Sequence, residues 1–185
     1  MRVLSTPRLH LRELTPADAP FILVLLNDPD WLRYIGDRGV RTESDARRYI
    51  EQGPMAMYAE HGFGLWLVEL RDGGKPVGIC GLLRRPGLDD PDLGFAFLPE
   101  FRGRGYAVEA AGAALAHGRA ALGLGRLLAI TSPGNDASER VLRKLGFHPA
   151  GPVTLPGDPE ELRLFVNPPA SRSPPPSSGT AGSTP

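Results

Sequence analysis

The interpretation of this chain starts from the stretch Phe101-Arg102-Gly103-Arg104-Gly105-Tyr106-Ala107. It lies between an apolar run, 93–98, and an alanine-rich segment, 108–121, a pattern typical of a strand, a glycine-rich turn and a helix. Such a turn points several backbone N–H groups at one spot, at the positive end of the helix dipole, where a phosphate binds favourably. Two arginines within the turn add positive charge. The stretch therefore predicts an anion site, and a phosphorylated cofactor is its expected occupant.

Two well-known phosphate motifs fit this turn incompletely. A P-loop requires a lysine and a hydroxyl residue directly after its second glycine, and neither follows Gly105. A dinucleotide fingerprint, G-x-G-x-x-G, is matched by Gly103 and Gly105, but Val108 occupies the third glycine position. A tight turn that binds nothing is a third interpretation. The P-loop is therefore excluded, and the turn by itself leaves the dinucleotide fingerprint and the empty turn open.

A second motif narrows the choice. The pattern Arg102-x-x-Gly105-x-Ala107 resembles the acyl-CoA pyrophosphate loop, [QR]-x-x-G-x-[GA], of the GNAT superfamily of N-acetyltransferases. Downstream, the segment from Asn135 to Phe147 resembles the second signature of that superfamily, N-x-x-[AS] followed by K-L-G-F. The resemblance covers about residues 6–166. Three further segments resemble the RimJ/RimL-type branch: Thr6-Pro-Arg8-Leu-x-Leu-Arg12, Gly94-Phe95 and Glu109-Ala110.

The order of predicted elements agrees with this resemblance. The capping patterns Thr15-Pro-Ala-Asp18 and Thr42-Glu-Ser-Asp45 predict two helices, which end near Asn27 and Gly53. A third helix follows the glycine-rich turn, and Asn135 caps a short fourth one. We therefore expect an α/β (α+β) fold, a GNAT-like mixed, mostly antiparallel sheet of about six to seven strands flanked by about four helices. The predicted strands are 8–14, 63–71, 75–83, 93–98, 127–131, 147–153 and 161–166.

Length and composition fit one domain of an ordinary globular protein. The 185 residues suffice for a single core, and we expect an N-acetyltransferase domain over 5–167 followed by a disordered Pro/Ser-rich tail over 168–185. Lys and Arg number 21, as do Asp and Glu, so no overall field favours nucleic acid or an anionic membrane as a partner. No apolar run has the length of a membrane span or a signal-peptide core, so a cytoplasmic location is expected.

The resemblance implies that acetyl-CoA donates an acetyl group to a primary amine, by direct attack in a ternary complex. Backbone N–H groups of the loop would hold the pyrophosphate, and the side chains of Arg102 and Arg104 would add charged contacts. The preceding strand would expose its backbone to the pantetheine arm, and a backbone N–H near Phe97 or Leu98 would polarise the thioester carbonyl. The expected donor-binding residues are Phe97, Leu98, Arg102, Gly103, Arg104, Gly105, Tyr106, Ala107, Asn135 and Ser138.

The catalytic groups carry weaker signals. In related transferases a hydroxyl group protonates the departing CoA thiolate, and many members use a tyrosine at the position of Leu142. Ser138 or a water molecule would then take this role, because a thiolate with a pKa near ~8.5 needs little help. Asp92 and Glu69 are candidate general bases by placement only. No Cys/His cluster indicates a metal, so none is expected.

The amine acceptor is the least determined part of the site. In the family, the N-terminal helices and the following strand form the acceptor pocket, which makes Trp31, Tyr34 and Trp66 candidate acceptor-binding residues. The branch resemblance favours the α-amino group of a protein, such as a ribosomal-protein N-terminus, with small amines as the alternative. Both a monomer and a homodimer are compatible with the sequence.

Two other functions stay open at this point. The missing tyrosine at position 142 and the lack of a convincing base are also compatible with a CoA-binding sensor or pseudo-enzyme that has no transferase activity. A nucleotide-binding module that uses the same glycine-rich turn is the remaining alternative. Binding of CoA without release of its thiol would distinguish the first, and competition between ATP and CoA the second.

Overall fold

A computed structural model of the protein describes residues 2–157 and 159–169. Eight strands form one sheet, in the spatial order first to sixth, then eighth, then seventh. The fifth and sixth strands are parallel, and all other neighbours in the sheet are antiparallel. The strands are β1 Arg2–Ser5, β2 Leu9–Glu13, β3 Leu65–Leu70, β4 Pro76–Leu83, β5 Asp92–Phe97, β6 Leu127–Thr131, β7 His148–Thr154 and β8 Glu161–Asn167.

Six α-helical segments pack on this sheet. Two of them, α3 and α4, are joined by a π-helical turn over Glu51–Met55, so that the chain is nearly continuously helical between them. Single 3-10 turns precede α1 and the glycine-rich loop, at Pro16–Asp18 and Pro99–Phe101. The helices are α1 Ala19–Leu26, α2 Pro29–Tyr34, α3 Glu43–Ile50, α4 Ala56–His61, α5 Tyr106–Ala120 and α6 Asp136–Lys144.

The predicted fold class is confirmed; the structure adds one strand and one helix that the pattern did not indicate, and it continues the second predicted helix through a π-helical turn into α4. The extra strand is β1, a four-residue edge strand that pairs with β2 around an irregularity between Arg2 and Leu4. The extra helix is α2, whose six residues are too few to show a 3.6-residue period. The second predicted helix does not end near Gly53, because the π-helical turn accommodates Pro54 where the regular hydrogen-bond ladder is already interrupted. Of the predicted tail, 168–185, only Pro168 and Pro169 lie within the described residues.

Apolar cores lie on both faces of the sheet. One contains α5, and the other contains α1, α2 and α3. Helix α5 approaches the sheet closely because small residues face it, namely Ala110, Ala111, Ala114 and Gly118, all of them buried. A Cβ atom on Gly118 would stand only 2.7 Å from Cδ1 of Leu82 in β4. The alanine-rich composition of α5 thus sets how near the helix, and the loop that precedes it, lie to the sheet.

The sheet opens between β5 and β6. These two strands are paired only at Asp92 and Leu128, and beyond that pair they separate. Strand β5 stays paired with β4 to its end, where the N–H of Leu98 donates to the carbonyl of Val77 over 3.0 Å. Because backbone groups of an antiparallel pair alternate in direction, those of Phe95 and Phe97 point away from β4 and into the gap. The fold thereby presents strand backbone without a neighbouring strand on one side of an opening.

Candidate active site

Two cavities adjoin where β5 and β6 separate. The first has a volume of about 360 Å³ and is lined by the glycine-rich loop, the end of β5, α2 and α6; we call it the loop cavity. The second has a volume of about 610 Å³ and lies along the gap, bounded by α2, β6 and the loop after β7; we call it the gap cavity. The residues that line both are Trp31, Tyr34, Ile35, Phe95, Ala96, Asn135 and Ser138. Two chambers therefore meet at one place in the opened sheet.

The glycine-rich loop places the start of α5 at the loop cavity. Gly103 and Gly105 have φ angles of +72° and +80°, a left-handed conformation that side chains of other residues disfavour. Gly105 precedes the first residue of the 15-residue helix α5, and the first intrahelical bond runs from the N–H of Glu109 to its carbonyl. The N–H groups of the three residues between them have no acceptor within the helix. These three residues, Tyr106, Ala107 and Val108, all line the loop cavity.

This arrangement suits an anion. Unpaired N–H groups at the end of a helix carry the positive pole of its dipole, and the loop cavity gives a phosphate access to them. Of the expected donor-binding residues in the loop, Arg102, Gly103, Gly105, Tyr106 and Ala107 line this cavity. Arg104 does not: its guanidinium lies over the ring of Phe101, 5.9 Å from the centroid.

The side chain of Arg102 is committed to protein partners. Its Nε donates to the carbonyl of Phe97 over 2.8 Å, its Nη2 donates to Asp28 over 2.5 Å, and its Nη1 donates to Asp30. Asp28 is buried and also caps α2, since its Oδ1 accepts the N–H groups of Asp30 and Trp31. The guanidinium thus ties the end of β5 to the start of α2, which differs from the expected contact with a phosphate.

Helix α2 is held at both ends across the opening of the sheet. Its first turn is fixed to β5 by Arg102, and at its other end the carbonyl of Tyr34 accepts the hydroxyl of Ser132 over 2.7 Å. Ser132 directly follows β6, so the helix connects the two sides of the gap. Trp31 and Tyr34, two of the three expected acceptor residues, are consequently placed where the two cavities meet.

Asn135 and Ser138 lie together at the same junction. The Oδ1 of Asn135 accepts the N–H of Ser138 over 3.2 Å, the side-chain cap that starts α6. With Oδ1 used in this way, the Nδ2 group of Asn135 has no hydrogen bond to the part of the chain that the structure describes. The spacing N-x-x-S thus brings an amide donor and a hydroxyl to both cavities.

Two further buried polar atoms at these cavities lack partners within the described residues. Trp31, only 5% exposed, has no acceptor for its Nε1–H. Thr131, at the end of β6, has no partner for its Oγ1 and lines the gap cavity. Because a buried polar group without a hydrogen bond is costly, both atoms are suited to pair with polar groups of a bound ligand.

Neither candidate general base reaches the cavities. Asp92 is fully buried and forms an ion pair with Arg85, with 3.0 Å between Oδ2 and Nε. Burial raises the pKa of Asp92 to about 6, although the neighbouring Arg85 acts in the opposite direction. Glu69 faces β2, where its Oε1 accepts the Nε of Arg12 over 2.8 Å. Neither carboxylate lines the loop cavity or the gap cavity.

Two other expected site residues also lie elsewhere. Trp66 is 1% exposed in the core, where its ring meets that of His117 edge-on with 5.7 Å between centroids. It lines neither cavity. Leu98 also lines neither cavity, and its N–H already donates to the carbonyl of Val77. An N–H directed at the gap is instead available at Phe97 and Phe95, because these positions alternate with Leu98 along β5.

The gap cavity is lined by three arginines to which the sequence assigned no role in the site: Arg33, Arg38 and Arg85. They come from α2, from the loop between α2 and α3, and from the loop between β4 and β5. No spacing in the sequence connects them, so the fold alone brings them to one cavity.

Among the described residues no group of three or more His, Cys, Asp or Glu side chains could hold a metal ion. No helix in the described ranges is long and apolar enough to cross a membrane.

Comparison of the sequence with known families gives one match over most of the chain. A model of the acetyltransferase (GNAT) domain matches residues 8–148. The chain is 32% identical over 155 residues to the uncharacterized N-acetyltransferase YoaA of Bacillus subtilis (strain 168), with 80% of this chain and 84% of that protein covered. It is 33% identical over 150 residues to the uncharacterized protein YkkB of the same organism, with 78% and 84% covered.

Solved structures share the fold. The acetyltransferase from Agrobacterium tumefaciens str. C58 is 27% identical and has a TM-score of 0.75, with 90% of this chain and 94% of that chain covered. The RimL ribosomal L7/L12 alpha-N-protein acetyltransferase, solved in complex with coenzyme A, has a TM-score of 0.76 at 17% identity, with 91% and 98% covered. At 17% identity, the similarity to the RimL structure concerns the fold alone.

Proposed function

Because the chain belongs to the GNAT acetyltransferase family, we propose that it moves an acetyl group from acetyl-CoA to a primary amine by direct attack in a ternary complex. The observation that carries this proposal is the meeting of two cavities at the gap between β5 and β6. One cavity ends at the N-terminus of a long helix, which suits a pyrophosphate, and the other leaves room for a second substrate. Donor and acceptor can therefore be bound together, on either side of the shared junction.

The donor fits the loop cavity in two respects. The pyrophosphate would accept hydrogen bonds from the three N–H groups at the start of α5, and the loop glycines let the backbone approach it. The pantetheine arm would lie along β5 and pair with the backbone groups of Phe95 and the N–H of Phe97, which face the gap. Acetyl-CoA would supply an activated thioester at the junction, where the Nδ2 group of Asn135 can donate a hydrogen bond to it.

A backbone N–H of β5 would stabilise the oxygen of the thioester as the amine attacks. We assign this role to Phe97 or Phe95 in place of Leu98, whose N–H is already used by Val77. A donor of this kind typically contributes about 3–4 kcal/mol to the stabilisation of the transition state. In the transfer, the C–N bond forms, the C–S bond breaks, the amine loses a proton and the CoA thiolate gains one.

Two hydroxyl groups are placed to protonate the thiolate. Ser138 and Tyr34 are the hydroxyl-bearing residues that line both cavities within the described part of the chain, while Leu142 occupies the position of the usual tyrosine. We propose Ser138 as the group that protonates the thiolate, with Tyr34 as the second candidate. Because a thiolate with a pKa near ~8.5 is easily protonated, we expect Ser138→Ala to lower kcat by less than about tenfold.

The amine would react as its free base. Asp92 and Glu69 lie outside both cavities, so the proposal assigns neither of them direct contact with the acceptor. A protein α-amino group, with a pKa near ~8, is partly neutral at pH 7, whereas a lysine side chain is almost fully protonated. This difference favours an α-amino group as acceptor, either the N-terminus of a protein, as the name of the RimL neighbour states for that enzyme, or a small molecule. A cytoplasmic, RimJ/RimL-like enzyme acting as a monomer or homodimer remains our expectation.

Calorimetric titration with acetyl-CoA tests the donor site. We expect saturable binding to the unaltered protein and its loss in Gly105→Glu, because the new carboxylate repels the pyrophosphate and its side chain fills the loop. Gly123→Glu is the matched control: Gly123 also has a positive φ, +66°, no atom within 4 Å of an added Cβ, and a position outside both cavities. Equal binding by both variants would reject the assignment of the loop.

A CoA-binding sensor without transferase activity is the second candidate, favoured by Leu142 and by the positions of Asp92 and Glu69. An acceptor screen that measures released CoA separates the two. Turnover with any amine rejects the sensor, and intersecting initial-velocity lines for the two substrates would support the ternary complex. Parallel lines would instead indicate a covalent acetyl-enzyme.

A further inference from the structure

The charge of the gap cavity bears on what the acceptor is. Arg33, Arg38 and Arg85 line this cavity and not the loop cavity, so they stand apart from the pyrophosphate site. Within the described residues the only acidic side chain that lines the gap cavity is Glu160. A cavity with three guanidinium groups and one carboxylate is suited to an anionic ligand.

One of the three arginines is held by a carboxylate. Arg85 is fixed in place by the fully buried Asp92, with 3.0 Å between Nε and Oδ2. Arg38 and Arg85 come from different loops, and both line the gap cavity.

The other two arginines have no carboxylate to neutralise them. Neither Arg33 nor Arg38 forms an ion pair with any residue that the structure describes, and Arg33 lies over the ring of Tyr34, 5.0 Å from its centroid. Thr131 adds a buried hydroxyl without a partner to the same cavity. Guanidinium groups bind carboxylates in a bidentate manner, and a hydroxyl can add a further hydrogen bond.

We propose that the amine acceptor also carries a carboxylate, which Arg38 and Arg33 bind in the gap cavity while Arg85 supports them. This inference rests on the proposed acetyltransferase function and names the class of its second substrate. The carboxylate would belong to a free amino acid or to an acidic side chain close to the N-terminus of a peptide. In either case its binding would orient the amine towards the junction at Asn135 and Ser138.

Matched acceptor pairs test the proposal directly. Each free amino acid is compared with its C-terminal amide, and a peptide beginning Ser-Glu-Glu with one beginning Ser-Gln-Gln, at saturating acetyl-CoA. We expect kcat/KM to be at least about tenfold higher for the carboxylate-bearing member of one of these sets. The amide of an amino acid has the less basic amine, so more of it is neutral at pH 7, and a preference for the free acid cannot arise from amine reactivity.

Variants identify the side chains. Arg38→Gln and Arg33→Gln should each lower kcat/KM for the carboxylate-bearing acceptor by about tenfold to a hundredfold and leave the KM for acetyl-CoA unchanged. The control is Arg47→Gln, which removes the same charge from an exposed position on α3 outside both cavities and should change neither constant. Arg85→Gln is avoided because it would leave Asp92 buried without its partner.

The outcomes distinguish a failure of the carboxylate proposal from a failure of the proposed transferase function. Equal turnover of acids and amides, or no effect of Arg38→Gln and Arg33→Gln, would overturn the carboxylate proposal and leave the transferase intact. No release of CoA with any amine, although acetyl-CoA binds, would overturn the proposed function together with this inference. A preference in the amino-acid set alone identifies a small-molecule acceptor, and a preference in the peptide set alone identifies an acidic peptide.

Discussion

Arg102 shows how one side chain can link several elements that line the loop cavity. Its guanidinium joins the carbonyl of Phe97, at the end of the pantetheine strand, to Asp28 and Asp30 at the start of α2. Asp28 is buried, so loss of its arginine would leave a carboxylate with little compensation. The residue that the family motif marks as part of the CoA loop acts here as a link between the loop and the helix that lines both cavities.

The pair Arg102 and Asp30 gives the first prediction. If Arg102 acts by holding α2, Arg102→Gln should raise the Kd for acetyl-CoA by about tenfold, and Asp30→Asn should raise it by less, because Asp28 still holds the guanidinium. The double variant should be little weaker than Arg102→Gln alone. Asp37→Asn, which removes an acid from the loop after α2 outside both cavities, is the control. If Arg102 instead binds phosphate, Asp30→Asn would tighten binding by releasing the guanidinium.

Asp92 gives the second prediction, on stability against pH. Between the ordinary pKa of 3.8 and about 6, folded Asp92 keeps a proton that the unfolded chain has lost, so its contribution to stability falls as the pH rises. Relative to Asp92→Asn, the free energy of unfolding of the unaltered protein should fall by up to about 3 kcal/mol between pH 4 and pH 7. Urea titrations across this range measure it. Parallel curves for the two proteins would contradict the raised pKa.

At the scale of single residues, sequence reasoning succeeded where partners are neighbours in the chain. Asn135 and Ser138 are three positions apart in one helix turn, so the cap that joins them could be predicted. Asp92 and Glu69 are held by Arg85 and Arg12, from other segments. No local pattern reports these ion pairs, which is why both carboxylates appeared to be available as bases.

At the scale of elements, α5 shapes the proposed donor site through its start and its packing. The start supplies unpaired N–H groups, and the small residues along the buried face keep the helix close to β4. This part could be read from the sequence, because a 15-residue helix after a glycine-rich turn has strong periodic and composition signals. The six-residue helix α2 could not be predicted in the same way, because it is too short to show a helical period. The only local signal for it is the cap formed by Asp28 and the following Pro29.

Two glycines within α5 provide the third prediction. Gly118→Ala should destabilise the fold by about 1–3 kcal/mol, because its Cβ would stand 2.7 Å from Leu82 in a packed core. Gly112→Ala, where the nearest atom is 3.5 Å away, should be neutral or stabilise by up to about 1 kcal/mol, since alanine favours the helix. Chemical denaturation of both variants measures the difference. Equal effects would mean that α5 does not lie as close to the sheet as the structure indicates.

At the scale of the whole molecule, the proposed function depends on a sheet that opens between β5 and β6. Strands β4 and β5 stay paired to their ends while β5 and β6 separate after one pair, and α2 connects the two sides. The mixed sheet could be predicted from the order of its elements, but the gap could not, since it arises from the divergence of two strands with ordinary apolar sequences. The two cavities, and the arginines that line one of them, follow from that divergence.

Ligand-linked stability gives the fourth prediction. Acetyl-CoA at about a hundredfold excess over its Kd should add about 2.7 kcal/mol to the free energy of unfolding, which corresponds to a rise in Tm of roughly 5–10 °C. A chain that ends at Pro169 should show the same rise, because all the described residues that line the loop cavity lie upstream. Gly105→Glu should show none. A smaller shift in the shortened chain would mean that residues 170–185 take part in donor binding.

The most direct test of the account is the balance of the transfer itself. Purified protein is mixed with acetyl-CoA and a panel of α-amines, and both free CoA and the N-acetylated amine are quantified by mass spectrometry. We predict one acetylated amine for each CoA released, and no reaction with Gly105→Glu, while Gly123→Glu reacts as the unaltered protein does. Binding of acetyl-CoA with no CoA release and no acetylated product from any amine would contradict the assignment of the chain as an N-acetyltransferase.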